Sequence, residues 1–374
     1  MGLPVSIILF ILFVYVLVIF FLFLGLFLLK KSSGNSPSGR EKVTVVVPFR
    51  NEADHLPGLI NDLLRQNYPE ELFFVILVND HSTDGSGLLA SSLVEAHQRF
   101  SCLDLPGGRN GKKEALSHAI ESAGTPWIIQ TDADCRVGPE FIAAHISFLE
   151  EHPSDLVAGF VSTSTRRGGF LEAFQKLDMF GLTGTGAGSY PYGRPIMCNG
   201  ANLLYSKGLY WDTRSFDPAD KTPSGDDMFM LIGARKLNRR ISFNPEKKAQ
   251  VSTSPVESPC ALIRQRIRWG GKSSRYRMGD IQILAVVVAL ASFGVLLSPV
   301  WIVIDPGSAV WLLPAVGVKL IMDFLILAAV AFKIGQGRTL LWFFPVWIVY
   351  CLYMPVVIVG SLLHGTTWKG RAFR

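Results

Sequence analysis

Four clusters in this chain combine residue types and spacings that could act on a charged substrate. The apolar run Trp127-Ile128-Ile129-Gln130-Thr131 ends in Asp132-Ala133-Asp134, two carboxylates one small residue apart at the tip of a strand-like segment. Such a tip offers hard oxygen ligands to a divalent cation. An Asp-x-Asp triplet also arises by chance as a solvated turn, so its surroundings must decide. Gly225-Asp226-Asp227 is a second acidic pair, ahead of the helical apolar positions Met228, Phe229, Leu231 and Ile232. Its bland reading is a charged helix start. Two close carboxylates also raise the proton affinity of one of them, which suits a general base. Lys112 opens another helical pattern, where a cation and free backbone N–H groups suit an anion; the alternative is a solvated surface lysine. Gln265, Arg268 and Trp269 stand three and four apart, on one face of a helix.

The elements that position these residues alternate strand with helix. A β-branched run at Val43 to Val47 leads into Pro48-Phe49-Arg50-Asn51-Glu52 and then an amphipathic pattern at Leu56, Leu59, Ile60, Leu63 and Leu64. Strand-like runs at 73–78, 101–105, 126–131 and 156–161 follow, most of them separated by helical patterns. This predicts an α/β fold with a mostly parallel sheet flanked by helices, which places ligands at the carboxyl ends of the strands. Gly184 to Pro195, rich in glycine with Tyr190 and Tyr192, reads as a flexible active-site loop. It is not a dinucleotide loop, because no strand within a βαβ unit precedes it.

Mean hydropathy is +0.32, too high for a soluble enzyme of this size. Leu3 to Leu29 carries no charge, and at ~1.5 Å per residue a helix of that length crosses a ~30 Å hydrocarbon core. The uncharged Met1 to Ser6 and the Lys30-Lys31 that follows point to an uncleaved span, with the next segment in the cytoplasm. Met1-Gly2-Leu3-Pro4-Val5-Ser6 also fits a loose myristoylation pattern, redundant beside a span. Residues 281–304, 310–332 and 340–363 are each long enough to cross. Three crossings would export the basic tail against the charge rule. The segment Leu340 to Leu363, broken by Pro345 and Pro355, is therefore expected to be interfacial or re-entrant. Lys319 and Asp323, one helical turn apart, are expected to pair within the membrane.

Five scattered cysteines without a C-x-x-C pair indicate neither a disulfide framework nor a zinc site. The net charge of +6 comes without a nucleic-acid motif, and membrane-border cations account for it, so no nucleic acid is expected as a partner. The expected organisation is a transmembrane helix at 1–30, a linker at 31–42, the α/β domain at 43–254, a juxtamembrane helix at 255–280, and a membrane region with a basic tail at 281–374.

Six features in order carry a resemblance: Pro48 to Glu52, Asn79-Asp80-His81-Ser82-Thr83-Asp84-Gly85, Asn110-Gly111-Lys112, Asp132-Ala133-Asp134, Gly225-Asp226-Asp227, and Gln265-Arg266-Ile267-Arg268-Trp269. Together they resemble the membrane-bound members of glycosyltransferase family 2, over roughly Val43 to Trp269. The resemblance implies a GT-A fold and a divalent metal, Mg or Mn, on Asp134, with Asp132 at the nucleoside end or in the metal's outer sphere. It also implies a nucleotide pocket of Pro48, Phe49, Glu52 and Asp80, with Asp80 on uracil and Lys112 on the donor. Asp227 then stands as general base beside Asp226, Trp269 flanks the acceptor, and Arg268 lies near the diphosphate, with Gln265 the first residue of the same catalytic motif. The family writes two acidic residues at Asn79-Asp80 and usually Glu-Asp at Asp226-Asp227, so Asn79 and Asp226 depart from its pattern; Asp220 lacks the context of a base. Trp368-Lys369-Gly370-Arg371 resembles a tail signature of some lipid-modifying relatives, and otherwise reads as membrane-border residues.

The function so implied is an inverting hexosyl transfer from a nucleotide sugar, a uridine diphosphate sugar by the family pattern. The expected acceptor is a membrane lipid at the cytoplasmic face of a multi-pass protein. The alternatives are a processive synthase subunit, with a growing glycan as acceptor, and a non-catalytic membrane scaffold of the same fold.

Overall fold

The computed structural model describes residues 2–33, 41–165, 168–216, 225–273, 276, 278–363, 366–368 and 371–373. Asp220, Arg275, Arg277, Lys369, Gly370 and most of the expected linker lie outside these residues. The chain forms two compact units: an α/β unit of Leu29–Ser164 and Gly193–Ser254, and a helical unit of Met1–Leu28, Thr165–Tyr192 and Pro255–Arg374. Within the stretch 43–254, residues Thr165–Tyr192 fall in the helical unit.

In chain order the elements are α1 (Leu3–Leu28), β1 (Val43–Phe49), α2 (Leu56–Leu64), β2 (Phe73–Asn79), α3 (Ser86–Val94), β3 (Phe100–Asp104), α4 (Lys112–Ser122), β4 (Trp127–Gln130), β5 (Cys135–Val137), α5 (Phe141–Glu151), β6 (Leu156–Gly159) and β7 (Val161–Thr163). They continue with α6 (Phe170–Ser189), β8 (Leu203–Ser206), α7 (Lys207–Thr213), α8 (Asp226–Lys236), β9 (Ile241–Asn244), β10 (Val251–Thr253), α9 (Pro259–Ser273), α10 (Gly279–Ile304), α11 (Ala309–Lys333) and α12 (Phe343–Leu363).

The main sheet of the α/β unit has the order β3-β2-β1-β4-β8-β6-β9. Only β8 runs against its neighbours, β4 and β6. Every residue of β1 is buried, as expected of a central parallel strand covered on both faces. Helix α2 buries the Leu56, Leu59, Ile60 and Leu63 face that the apolar spacing predicts. A second sheet, β5-β10-β7, sets Thr253 opposite Cys135, immediately after the Asp132-Ala133-Asp134 turn.

In the helical unit α1 packs on α6, α10 and α11. Four stretches are long and apolar enough to cross a membrane: Leu3–Leu28, Gly279–Ile304, Pro306–Lys333 and Gly337–Leu363. The glycine-rich run expected as a flexible loop is instead the last turns of α6, and Gly184, Gly186 and Gly188 are buried. A Cβ at Gly188 would collide with the Leu22 carbonyl and one at Gly25 with the Gly188 carbonyl, while one at Gly184 would lie 2.7 Å from Val330. These glycines let helix backbones touch, which is the use small residues have between membrane helices.

Lys319 and Asp323 pair at 2.5 Å, as their spacing suggested. Asp323 also accepts from the Tyr15 hydroxyl at 2.7 Å and the Trp347 indole at 2.8 Å, so the group ties α11 to α1 and α12. Phe343 at the start of α12 meets Phe324 in the middle of α11, and near its end Gly360 lies against Ile267 of α9.

Candidate functional site

The loops after β1, β2 and β3 are sewn together at the carboxyl edge of the sheet. Asp80 N–H donates to the Phe49 carbonyl at 2.8 Å. Arg50 donates to the Asp80 carbonyl at 2.8 Å. The buried Asp80 carboxylate accepts from Gly111 N–H at 3.1 Å, which anchors the start of α4. Asn51 and His81 adopt left-handed backbone, with φ of 52° and 51°, and the Asn51 side chain accepts from Thr83 N–H at 2.8 Å. Asn79 explains its own departure from the acidic pattern: its amide donates to Asp104 at 2.8 Å while its oxygen accepts from Ser82 N–H at 3.0 Å. An aspartate at that position would set two carboxylates against each other.

Pro48 is buried, and the Phe49 ring belongs to the hydrophobic core. Phe49 meets this edge through its backbone carbonyl, which accepts from Asp80 N–H. Glu52 holds His55 at 2.9 Å and, through its carbonyl, the first turn of α2.

Lys112, the first residue of α4, pairs with Asp132 at 2.6 Å. Burial works against its charge, but Asp132, Asp226 and Asp227 together outweigh that cost and hold the amine above its ordinary pKa. One cation thus serves three carboxylates contributed by two separate segments. Asp226 and Asp227 form the first turn of α8 after Gly225, whose φ of 107° suits glycine. Asp227 accepts from Gly200 N–H at 2.9 Å through one oxygen and from Met228 N–H at 2.8 Å through the other. Asp226 accepts from the Gln130 amide at 3.0 Å.

Asp134 sits in the turn between β4 and β5, where its carboxylate accepts from the Thr253 hydroxyl at 2.9 Å and its carbonyl from Ser254 N–H at 3.2 Å. Burial, then Asp132 and Glu52, push its pKa up. This negative charge, only partly offset by the Thr253 hydroxyl and His55, is what a bound cation would stabilise. Among the described residues no group of three His, Cys, Asp or Glu side chains could cage a metal. The donor set fits an ion that takes one or two carboxylates from the protein and its remaining ligands from substrate phosphate and water, the habit of Mg²⁺.

The fold therefore brings Lys112, Asp132, Asp226 and Asp227 together, with Asp134 beside Asp132, Glu52 near Asp134, and Asp80 supporting the loop that carries Lys112. Gln265, Arg268 and Trp269 lie on α9, in the helical unit. Arg266, read from the sequence as a membrane-border cation, is instead buried. It pairs with Asp178 at 2.5 Å, donates to Gln265 at 3.0 Å and lies 4.1 Å over the Trp269 ring. A cation stacked on an indole and paired with a carboxylate fixes the ring's attitude. Sequence reading also missed Gln130, Gly200 and Thr253. Gln130 had a signal, being an amide at the end of an apolar strand; the other two contribute through contacts that spacing does not show.

A mostly parallel sheet flanked by helices, with an Asp-x-Asp turn at the end of β4, defines a GT-A-type domain. Residues 44–212 match the description Glycosyl transferase family 2. A poly(ribitol-phosphate) beta-glucosyltransferase of Bacillus spizizenii is 25% identical over 127 residues, covering 34% of this chain and 20% of that protein. An undecaprenyl-phosphate 4-deoxy-4-formamido-L-arabinose transferase of Yersinia enterocolitica is 31% identical over 117 residues, covering 30% of this chain and 34% of that protein. The match thus spans a fifth to a third of these relatives' own length. Among solved structures, the mannosyltransferase PcManGT from Pyrobaculum calidifontis, in complex with GDP-Man and Mn²⁺, has a TM-score of 0.56 at 19% identity. That likeness covers 95% of this chain and 99% of the mannosyltransferase, and it is one of fold.

Proposed function

We propose that this protein is an inverting glycosyltransferase, moving a hexose from a nucleotide diphosphate sugar, uridine first among the bases, to a membrane lipid at the cytoplasmic face of a multi-pass protein. The observation that carries this reading is the convergence of Asp132, Asp226 and Asp227 on the Lys112 ammonium, at the sheet edge that also holds Asp134. Four candidate spans support a lipid acceptor, and Lys30-Lys31 after α1 supports the cytoplasmic side.

In this reading Asp227 takes the proton of the acceptor hydroxyl while that oxygen bonds to the anomeric carbon from the face opposite the departing diphosphate. The bond from the anomeric carbon to the diphosphate oxygen breaks, and configuration inverts. Lys112 and the amino end of α4 meet charge on the diphosphate. A divalent ion on Asp134, with Asp132 in its outer sphere, would neutralise the same charge. The Gly200 and Met228 N–H groups keep the Asp227 carboxylate in place.

Membranes carrying the protein, incubated with a panel of labelled nucleotide sugars that includes uridine and guanosine donors, test the proposal. Label in the lipid extract is the expected result. Label in a polymer would favour a processive synthase, and neither transfer nor donor hydrolysis would leave a scaffold.

A further inference from the structure

Gln130 is the last residue of β4 and is 1% exposed. An amide so placed is costly unless both of its ends are bonded. Its oxygen accepts from the Tyr205 hydroxyl at 3.0 Å, and its nitrogen donates to Asp226 at 3.0 Å. Tyr205 lies on β8 and is fully buried; burial, then Tyr210 and Asp226, push its phenol up, so it stays a donor. An ionised carboxylate only accepts, so the amide end that faces Asp226 must present N–H, and the oxygen is left to accept from the Tyr205 hydroxyl.

The backbone makes room for this arrangement at Gly200. A Cβ there would stand 2.9 Å from the Gln130 nitrogen and 3.4 Å from an Asp227 oxygen. Without a side chain, residue 200 leaves room for both Gln130 and Asp227 while its own N–H donates to Asp227 at 2.9 Å.

We infer that Gln130 is a positioning residue for the acidic pair: it orients the Asp226 carboxylate by a directed amide bond, and so leaves Asp227 to receive the acceptor proton. The inference rests on the proposed transfer reaction and adds a residue that the family resemblance did not supply. Gln130 acts through Asp226 and touches no reacting atom.

The test replaces the donor end alone. Gln130→Glu keeps the shape and the acceptor for Tyr205 but turns an oxygen toward Asp226, so two carboxylates face each other. Turnover at saturating donor and acceptor should fall about 10- to 100-fold while donor affinity stays within about twofold, because misplacement rather than lost binding is the fault. The double variant Gln130→Glu with Asp226→Asn restores one donor and one acceptor between the two positions, and should recover about tenfold of the lost turnover. Tyr205→Phe leaves the amide oxygen without its donor and loosens the amide, and should lower turnover by a smaller factor; it carries the test alone if Gln130→Glu does not fold. Parental turnover in Gln130→Glu, a loss that appears wholly as weaker donor binding, or no recovery in the double variant overturns the inference, as does parental turnover in Tyr205→Phe. Asp227→Asn in the same assay separates the two levels. If it too retains turnover, the catalytic reading of the pair falls; if it loses turnover while Gln130→Glu does not, only the role of Gln130 falls.

Discussion

Replacing Asp227 by Asn probes the proposed base, and the structure changes what that substitution means. Both oxygens of Asp227 accept backbone N–H groups, from Gly200 at 2.9 Å and Met228 at 2.8 Å. Asparagine has one oxygen, so it can serve only one of the two donors and turns its own N–H₂ toward the other. Leaving a backbone donor unserved costs about 1–3 kcal/mol of stability, which a fold of ordinary stability, about 5–15 kcal/mol, tolerates. The catalytic cost is separate. Losing a general base slows transfer by about 10² to 10⁴, equal to about 2.7–5.4 kcal/mol of barrier, and it persists in the fully folded fraction. The assay is initial transfer rate to a hydroxyl acceptor at saturating donor, with donor affinity by calorimetry and a thermal melt of each variant. Asp227→Asn should melt earlier, bind donor as the parent does and turn over at least a hundredfold more slowly by the same estimate. Asp226→Asn should lose less, because its remaining oxygen still accepts from Gln130. A phosphate acceptor would be informative in the other direction, since an ionised oxygen needs no base and the same variant should then be nearly silent. Near-parental turnover of Asp227→Asn on a hydroxyl acceptor would refute the role.

Three further outcomes follow. Asp134→Ala should abolish transfer, and a chelator should do the same to the parent until Mg²⁺ or Mn²⁺ is restored; undiminished activity in the chelator removes the metal from the mechanism. Gly188→Val puts a side chain against the Leu22 carbonyl at the crossing of α1 and α6. It should cost about 1–3 kcal/mol or more by overpacking, read as an earlier melt in detergent, and an unchanged melt would contradict the close crossing. With Gly370→Cys in a chain otherwise lacking accessible thiols, an impermeant reagent should label position 370 only after permeabilisation; labelling in intact cells would establish three full crossings after the α/β unit.

The α/β unit was legible because its signals are local and redundant. Val43 to Val47 is β-branched and wholly buried, and the Leu56, Leu59, Ile60 and Leu63 face of α2 repeats at helical spacing. The polar turns fall at strand ends because a parallel sheet leaves its backbone unpaired there. What spacing did not show was which polar groups answer one another. Asn79 looked like a lapse from an acidic pair until Asp104, on the neighbouring strand, supplied the reason for an amide. Lys112 looked as much like a surface lysine as an anion site, and spacing did not show that it pairs with Asp132 or that Asp226 and Asp227 add to the field around it.

The α6 region was misread for a physical reason that bears on its chemistry. Glycine at alternate positions has the composition of a loop, and no count of residue types separates a flexible backbone from one bare enough for two helices to touch. The helix holding those glycines also carries Asp178, which anchors Arg266 beneath Trp269. Removing one partner of a buried pair leaves the other charge uncompensated, at about 3–5 kcal/mol. Asp178→Asn should therefore disturb Gln265 and Trp269 together, because a single guanidinium bonds one and stacks on the other. Arg266 and Asp178 lie 88 residues apart. That separation is why a pattern confined to Gln265 through Trp269 could name the motif's residues without showing what holds them.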